Sequence, residues 1–517
     1  MNHAGAAVHK THRDNVKETF MNTSNTRRMR FAVLGLGLAL LVLPAATRGA
    51  DVIDESATNQ SSETAMPLGE SPVRAKTRAN REHYFKLSVP QHGIYKLTLT
   101  RPLFKTDSPD LYVWITGEKA VKYGYQLPWA PSDTLATHTF YPVLDEGDYT
   151  LELLIPAGDA VKISVELAIA PFKPVFGEAE KKATEAALDR AMKKMEERTA
   201  PTNSTHDWMI PFEAMVMAAL SEGKDAKSRT QVIDSAYLPF LQGNFKEYEY
   251  KYNGVKLSSP VTSIYEVAIT ALSLSEAVAN GHEKARPLAR NLMRYLLAAQ
   301  LTGSRPPELG KIIAPNNIYF GGWRYGANAE DADLSVTGWC TVALMASESV
   351  AETPAEKADL RRALDSALRF VKQCTYARHF TYMPNSSDDI SNIRNAIGAL
   401  LLTLYADDSQ LLDSACQDLD YHLPNNSVYL DKGESYSFYY WYYATRLNYL
   451  RGGYAWEAWR TTMAAQLISI QREDGTFHVY GSESSLTEPY STALGSMILR
   501  MCLNDVPAYL KQEVRGF

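Results

Sequence analysis

Most signatures of well-marked enzyme chemistries are missing from this sequence. Cysteine occurs four times in 517 residues, as Cys340, Cys374, Cys416 and Cys502, and never as C-x-x-C. That excludes a cysteine-zinc ribbon and a disulfide-built scaffold. No G-x-x-x-x-G-K-S/T loop, G-x-S-x-G elbow or H-E-x-x-H pair occurs, so those phosphate-binding, serine-hydrolase and zinc-protease layouts are out. Positive charge is not in excess: 53 Lys and Arg face 59 Asp and Glu, a net charge of −6. A mildly acidic chain lacks the footprint of a nucleic-acid binder, and no nucleic-acid partner is expected.

Long apolar runs are scarce too. One of thirteen residues, Phe31–Leu43, follows Arg27, Arg28 and Arg30 and precedes Pro44, Ala45 and Ala46. A spanning helix wants about 20 apolar residues. The pattern therefore predicts a secretory signal peptide, with an uncleaved anchor in the inner membrane as the alternative. Residues 1–50 hold seven basic and two acidic residues, ahead of an acidic body. The expected location is extracytoplasmic, in the periplasm or cell envelope. Export permits disulfides, and the sequence does not choose among the three pairings of four cysteines. Cys340 and Cys502 lie in apolar helical runs, which suits buried thiols.

What is present is a chain with a real core, 45% hydrophobic, and with 30 Tyr against 16 Phe. Residues 51–80 are polar and poor in large apolar groups, the composition of a disordered linker. From 81 to 172 the apolar period is two, in short runs such as HYFKLSV, IYKLTLT, LYVWI and DYTLELLI. Turn signals separate them, which predicts an antiparallel β-sandwich. These runs resemble the small β-sandwich modules of pre-peptidase C-terminal type.

From 176 to 517 the period is helical. Six apolar blocks begin at Pro211, Ser263, Ser335, Ser391, Trp441 and Glu488, each preceded by an amphipathic segment. Helices apolar all round must be buried, while the segments between them have one wet face. Six such pairs predict an (α/α)6 toroid, so the fold class is multidomain: a β-sandwich followed by an all-α toroid. The loops entering the inner helices then gather at one mouth, with Trp323, Arg324, Tyr325, Glu330, Asp331, Tyr436, Glu488 and Tyr490 among their residues.

Two segments, Gly321–Leu344 and Tyr439–Leu499, resemble the prenyltransferase and squalene-oxidase repeats of squalene–hopene cyclases and protein prenyltransferases. Gln471, Gly475 and Phe477 follow the Q…G…W pattern, with Phe in place of Trp. The resemblance implies a toroid with a ligand cavity, and a catalytic acid in a D-x-D-D run. The matching run is Asp331-Ala332-Asp333-Leu334, with Asp333 on the acid position and Leu334 replacing the last Asp. Asp333 also lies just before the Ser335 block, where an acid caps a helix. The zinc site of prenyltransferases matches Glu488-Pro489-Tyr490-Ser491, which lacks the His ligand, so neither metal nor cofactor is expected.

Tyr436, Tyr439, Tyr440 and Tyr443 are spaced to share one helix face. Such a wall stabilises cations in a cyclase cavity, or simply packs. Three functions follow as expectations. The first is binding, with or without modification, of an isoprenoid or lipid by Trp323, Tyr325 and the tyrosine wall, with Asp331 and Asp333 as acids. The second is a glycan-active hydrolase or lyase with carboxylates at the ring mouth. The third is a non-catalytic partner of another cell-envelope protein.

Overall fold

The computed structural model describes residues 51–53, 66–67, 73–77, 82–102, 111–117, 121–127, 135–154, 163–197, 230–243, 246–252, 255–259, 263–386, 391–406, 409–420, 437–477 and 488–511, with Ala214 and Val216. The apolar run Phe31–Leu43 lies outside these residues. So does the first apolar block, apart from Ala214 and Val216, which are buried.

The N-terminal strands are β1 (Asp51–Ile53), β2 (Met66–Pro67), β3 (Val73–Thr77), β4 (Glu82–Val89), β5 (Gly93–Pro102), β6 (Leu111–Thr116), β7 (Val121–Leu127), β8 (Leu135–Phe140), β9 (Val143–Leu144), β10 (Gly147–Leu154) and β11 (Ile163–Pro171). One sheet runs β1-β3-β11-β5-β8, with β9 also on β5; the other runs β2-β4-β10-β6-β7. Leu151 of β10 stands between Phe85 of β4 and Ile115 of β6. Alternate residues of both sheets, among them Leu87, Val113 and Leu153 from one and Leu97, Leu99 and Leu167 from the other, share one apolar cluster. This is the direct consequence of the period-two runs. The stretch 51–80, expected as linker, differs from that expectation: it contributes three short strands. Val-Arg-Ala-Lys-Thr alternates with the period of a strand, and β3 lies between β1, its parallel neighbour, and β11, its antiparallel one.

The helices are α1 (Glu178–Glu196), α2 (Leu238–Gly243), α3 (Ile264–Ala279), α4 (Arg286–Ala299), α5 (Leu334–Ala346), α6 (Pro354–Gln373), α7 (Asn392–Leu404), α8 (Gln410–Asp420), α9 (Ser437–Arg451), α10 (Gly453–Ile470), α11 (Glu488–Cys502) and α12 (Ala508–Lys511). The odd-numbered α3, α5, α7, α9 and α11 pack each on the next. They are buried nearly all round: α3 buries every residue from Glu266 to Val278. Four others, α4, α6, α8 and α10, each pack on the inner helix that precedes them in the chain. On α6 only a stripe is buried, including Leu360, Ala363, Leu364, Ala367 and Val371. The first outer helix meets the last pair, because α1 packs on both α10 and α11. This is an α/α toroid.

The Q…G…aromatic pattern is the device that joins neighbouring outer helices. At the end of α4, the Gln300 side-chain amide donates to Gly321 O and to Ala363 O of α6, each at 2.8 Å. At the end of α10, Gln471 donates to Ala187 O of α1 at 2.8 Å and to Gly475 O at 3.1 Å. Both glycines have left-handed φ, +93° and +91°, and a Cβ would strike the Ser366 carbonyl in one case and the Arg190 carbonyl in the other. Only glycine fits there. The aromatic residues that follow, and Phe380 at the corresponding place after α6 where no glycine precedes it, are pinned to the next inner helix through their backbone N–H groups. Trp323 donates to Thr337 Oγ1 at 3.0 Å, Phe380 to Asn395 Oδ1 at 2.9 Å and Phe477 to Thr492 Oγ1 at 3.3 Å.

Beyond the C-terminal ends of the inner helices, α12 packs across the ring. Glu276 of α3 accepts from Ala508 N at 2.6 Å and Tyr509 N at 3.1 Å, and Arg446 of α9 donates to Tyr509 Oη at 2.8 Å. The opposite end carries the N-termini of the inner helices and the loops that enter them.

Candidate functional site

Asp333 begins α5 as its N-cap. Its backbone is extended (φ −131°, ψ 159°), and Oδ1 accepts from Val336 N at 2.9 Å. Oδ2 accepts from Arg324 Nη1 at 2.8 Å. The residue is fully buried. Burial pushes its carboxyl above the ordinary range, while the backbone N–H of Val336 and the Arg324 guanidinium pull it back; the net direction is up. The structure gives Asp333 the helix-capping role. Asp331, 42% exposed, meets solvent and lies 3.7 Å from Arg324 Nε.

Arg324 is the centre of the mouth. Its guanidinium carbon lies 5.5 Å from the Tyr325 ring and 5.4 Å from the Tyr382 ring. Nη1 also donates to Tyr382 Oη at 3.2 Å. Tyr382 in turn donates to Tyr325 Oη at 3.3 Å. A second guanidinium, Arg394 in the first turn of α7, lies 5.5 Å from the Tyr382 ring. Burial first, then the Asp333 charge, raises the Tyr382 phenol well above its ordinary value, so it stays a neutral donor. Tyr325 is 45% exposed. Its ring stacks on Tyr265 at 6.2 Å.

Inward from Tyr265 the ring interior is aromatic and self-packed. Trp339 meets Tyr265 edge-on at 5.9 Å and lies 5.1 Å from Tyr442 and 5.7 Å from Tyr443. Its indole N–H donates to Tyr439 Oη at 2.9 Å. The expected tyrosine face is thus split. Tyr439 and Tyr443 face Trp339, but Tyr440 meets Trp459 of α10 edge-on at 5.9 Å. One residue of helix is about 100° of rotation, which turns Tyr440 from the interior to the outer helix. Tyr442, about 60° from Tyr439 the other way, takes its place. Tyr436 lies outside the described residues.

Trp323, expected to touch ligand, is 1% exposed and its indole N–H donates to Leu296 O at 2.9 Å. It is a packing residue, pinned by the repeat. Tyr490 is buried in the first turn of α11, and Glu488 beside it pairs with Arg472 at 3.4 Å.

Sequence reasoning did not single out Tyr265, Glu266, Tyr382 or Arg394. Glu266 is 3% exposed in the first turn of α3, and burial raises its carboxyl to about 7. Tyr382 had a signal: it stands two residues after Phe380, as Tyr325 stands two after Trp323. Among the described residues no three His, Cys, Asp or Glu side chains are grouped to hold a metal ion. All four cysteines are free thiols. Among the described residues no helix is long and apolar enough to cross a membrane.

No protein-family description and no curated protein matches the chain. Solved structures resemble it in fold. One is a family 76 glycoside hydrolase from a bovine Bacteroides thetaiotaomicron strain, 9% identical over 83% of this chain and 99% of that one, with a TM-score of 0.42. Another is an inactive variant of the α-1,6-mannanase GH76A of Salegentibacter sp. HEL1_6 in complex with α-1,6-mannotriose, 9% identical over 62% and 98%, TM-score 0.42. A third is the cellobiose 2-epimerase from Spirochaeta thermophila DSM 6192, 14% identical over 57% and 86%, TM-score 0.39. None of these three is described as a terpene cyclase or a prenyltransferase.

Proposed function

We propose that this is an exported, glycan-active protein. In this reading its helices form a full (α/α)6 toroid, completed over the first apolar block, and its strands form a sandwich module. The toroid takes a saccharide at the mouth built from Tyr325, Tyr382, Arg324, Arg394 and Asp331. One observation carries the reading: Tyr325, 45% exposed, is held against Tyr265 with its hydroxyl 3.3 Å from that of Tyr382, beside two guanidiniums and an open carboxylate. A sugar offers C–H faces and hydroxyls in alternation. Aromatic faces cover the former, while phenols, guanidiniums and carboxylates bond the latter. Asp331 supplies a solvent-reachable carboxylate for acid or base work on a glycosidic bond.

An isoprenoid ligand finds less support, because the interior aromatics contact one another through Trp339. A non-catalytic envelope role is the second reading. It is favoured by Asp333, whose use as a cap leaves Asp331 as the open acid of the pair. Calorimetric titration of the exported protein with neutral and acidic oligosaccharides, with product analysis by mass spectrometry, tests the proposal. Saccharide binding that Tyr325→Ala weakens at least tenfold supports it. Folded protein that binds no saccharide overturns it. Binding without turnover moves the conclusion to the second reading.

A further inference from the structure

The loop between α4 and α5 contains a buried charge that the mouth does not use. Arg305 is 2% exposed. Its Nη1 donates to Ala329 O at 2.8 Å. Nε and Nη2 are buried and have no hydrogen-bond partner in the protein. Two groups act on the guanidinium electrostatically: Glu330, whose carboxylate is held at the surface by Lys311 at 2.7 Å, and the buried phenol of Tyr295. Burial pushes Arg305 below its ordinary value, but an arginine remains ionised at any physiological pH.

A buried cation with two orphan donors is among the costliest arrangements in a folded protein. The two donors are not scattered. Nε–H and Nη2–H lie on one edge of the guanidinium and point the same way, the fork that receives a single anion. The loop wraps closely around the group. Gly310 has φ +127°, and a Cβ there would come 3.2 Å from Arg305 Nη1 and 3.3 Å from Asn328 O. The same loop buries Leu309 and Ile313. A guest in such a place is small and desolvated.

We propose that Arg305 holds a small monovalent anion of chloride size on its Nε–Nη2 edge. The anion braces the loop through Arg305 and the Ala329 carbonyl, two residues before Asp331. The site is independent of the saccharide reading.

The test uses the intact mature protein and two probes. Crystals are grown in sodium bromide, and an anomalous difference map is computed. Thermal unfolding is followed in sodium chloride and, at equal ionic strength, in sodium gluconate, whose anion is too large to enter. The expected result is an anomalous peak in hydrogen-bonding distance of both Arg305 Nε and Nη2. Alongside it, the melting temperature rises saturably by several degrees with chloride over gluconate, and Arg305→Gln and Arg305→Lys lose that rise. A site holding water alone or the Glu330 carboxylate, together with equal melting in the two salts, overturns the proposal. If neither variant folds, the bromide map of the unaltered protein decides alone.

Discussion

Gln471 donates to the carbonyl of Ala187, 284 residues away, at 2.8 Å. Gln300 makes the same bond to Ala363, between successive outer helices. The bond that spaces neighbours along the ring therefore also joins its last outer helix to its first, and the chain closes with no special seam. Gln471→Ala leaves the Ala187 and Gly475 carbonyls without that partner, at a cost of about 1–3 kcal/mol. Urea unfolding reads the loss. Hydrogen exchange should show both α1 and α10 opening faster, while Gln300→Ala spares α1. Equal protection of α1 in the two variants would contradict closure by this bond.

Gly475→Ala should cost more than the glutamine change. It forces a left-handed φ on alanine and drives a Cβ against the Arg190 carbonyl. Gly321→Ala meets the equivalent Ser366 carbonyl and should behave alike. The check is the pair of unfolding midpoints measured side by side: a destabilised Gly475→Ala with an unaffected Gly321→Ala would mean that the two turns are not equivalent.

Two glutamates give the stability of this protein opposite pH arms. Burial pushes Glu356 up, but Arg290, the backbone N–H groups of Thr353 and Glu352, and Arg294 more than reverse this, to about 2. A depressed acid contributes stability above its unfolded value near 4.5, and that contribution is lost as pH falls through about 2. Glu266, raised by burial to about 7, has the other sign. Its neutral form suits the fold, so its contribution is full below about 4.5 and gone once pH has risen through about 7. Each arm is on the order of 3 kcal/mol. Glu266→Gln should raise stability at pH 8 relative to pH 5, and Glu356→Gln should lower it at pH 6. Unfolding midpoints across pH 3–9 check both, and a Glu266→Gln curve parallel to the unaltered one removes the alkaline arm.

Much of this architecture is legible in the sequence because it rests on uniform apolarity and on caps. The Ser263 and Ser391 blocks begin at the N-caps of α3 and α7, and Glu488 opens α11. The mouth is less legible. Arg324, Tyr325 and Asp331 follow from loop position alone, but which tyrosines of YYWYY face inward depends on the rotation of α9 about its own axis. Packing fixes that rotation through Trp339 on one side and Trp459 on the other. Tyr382 sits in a loop without periodicity, visible only once Phe380 is matched to Trp323. Glu266 reads as one polar letter in an apolar block, and its shifted carboxyl arises from the burial of all its neighbours.

Asp331 and Asp333 are two residues apart and both reach Arg324, yet they should respond differently to the same change. Asp333→Asn keeps a capping side chain but removes the charge that balances Arg324 in a buried setting, and Asp333→Ala removes both. The alanine variant should lose about 3 kcal/mol, as for a broken buried pair, and the asparagine variant less, because Asn caps as well as Asp. Asp331→Asn should leave the melting temperature nearly unchanged, since a half-exposed pair at 3.7 Å contributes little. If the mouth performs glycosidic chemistry, Asp331→Asn abolishes turnover while saccharide affinity stays within a few-fold, and Tyr325→Ala weakens affinity at least tenfold. Measuring melting, affinity and turnover on one set of purified variants separates the two acids. A stable Asp333→Ala, or an Asp331→Asn that unfolds, would reverse the assignment of cap and open carboxylate.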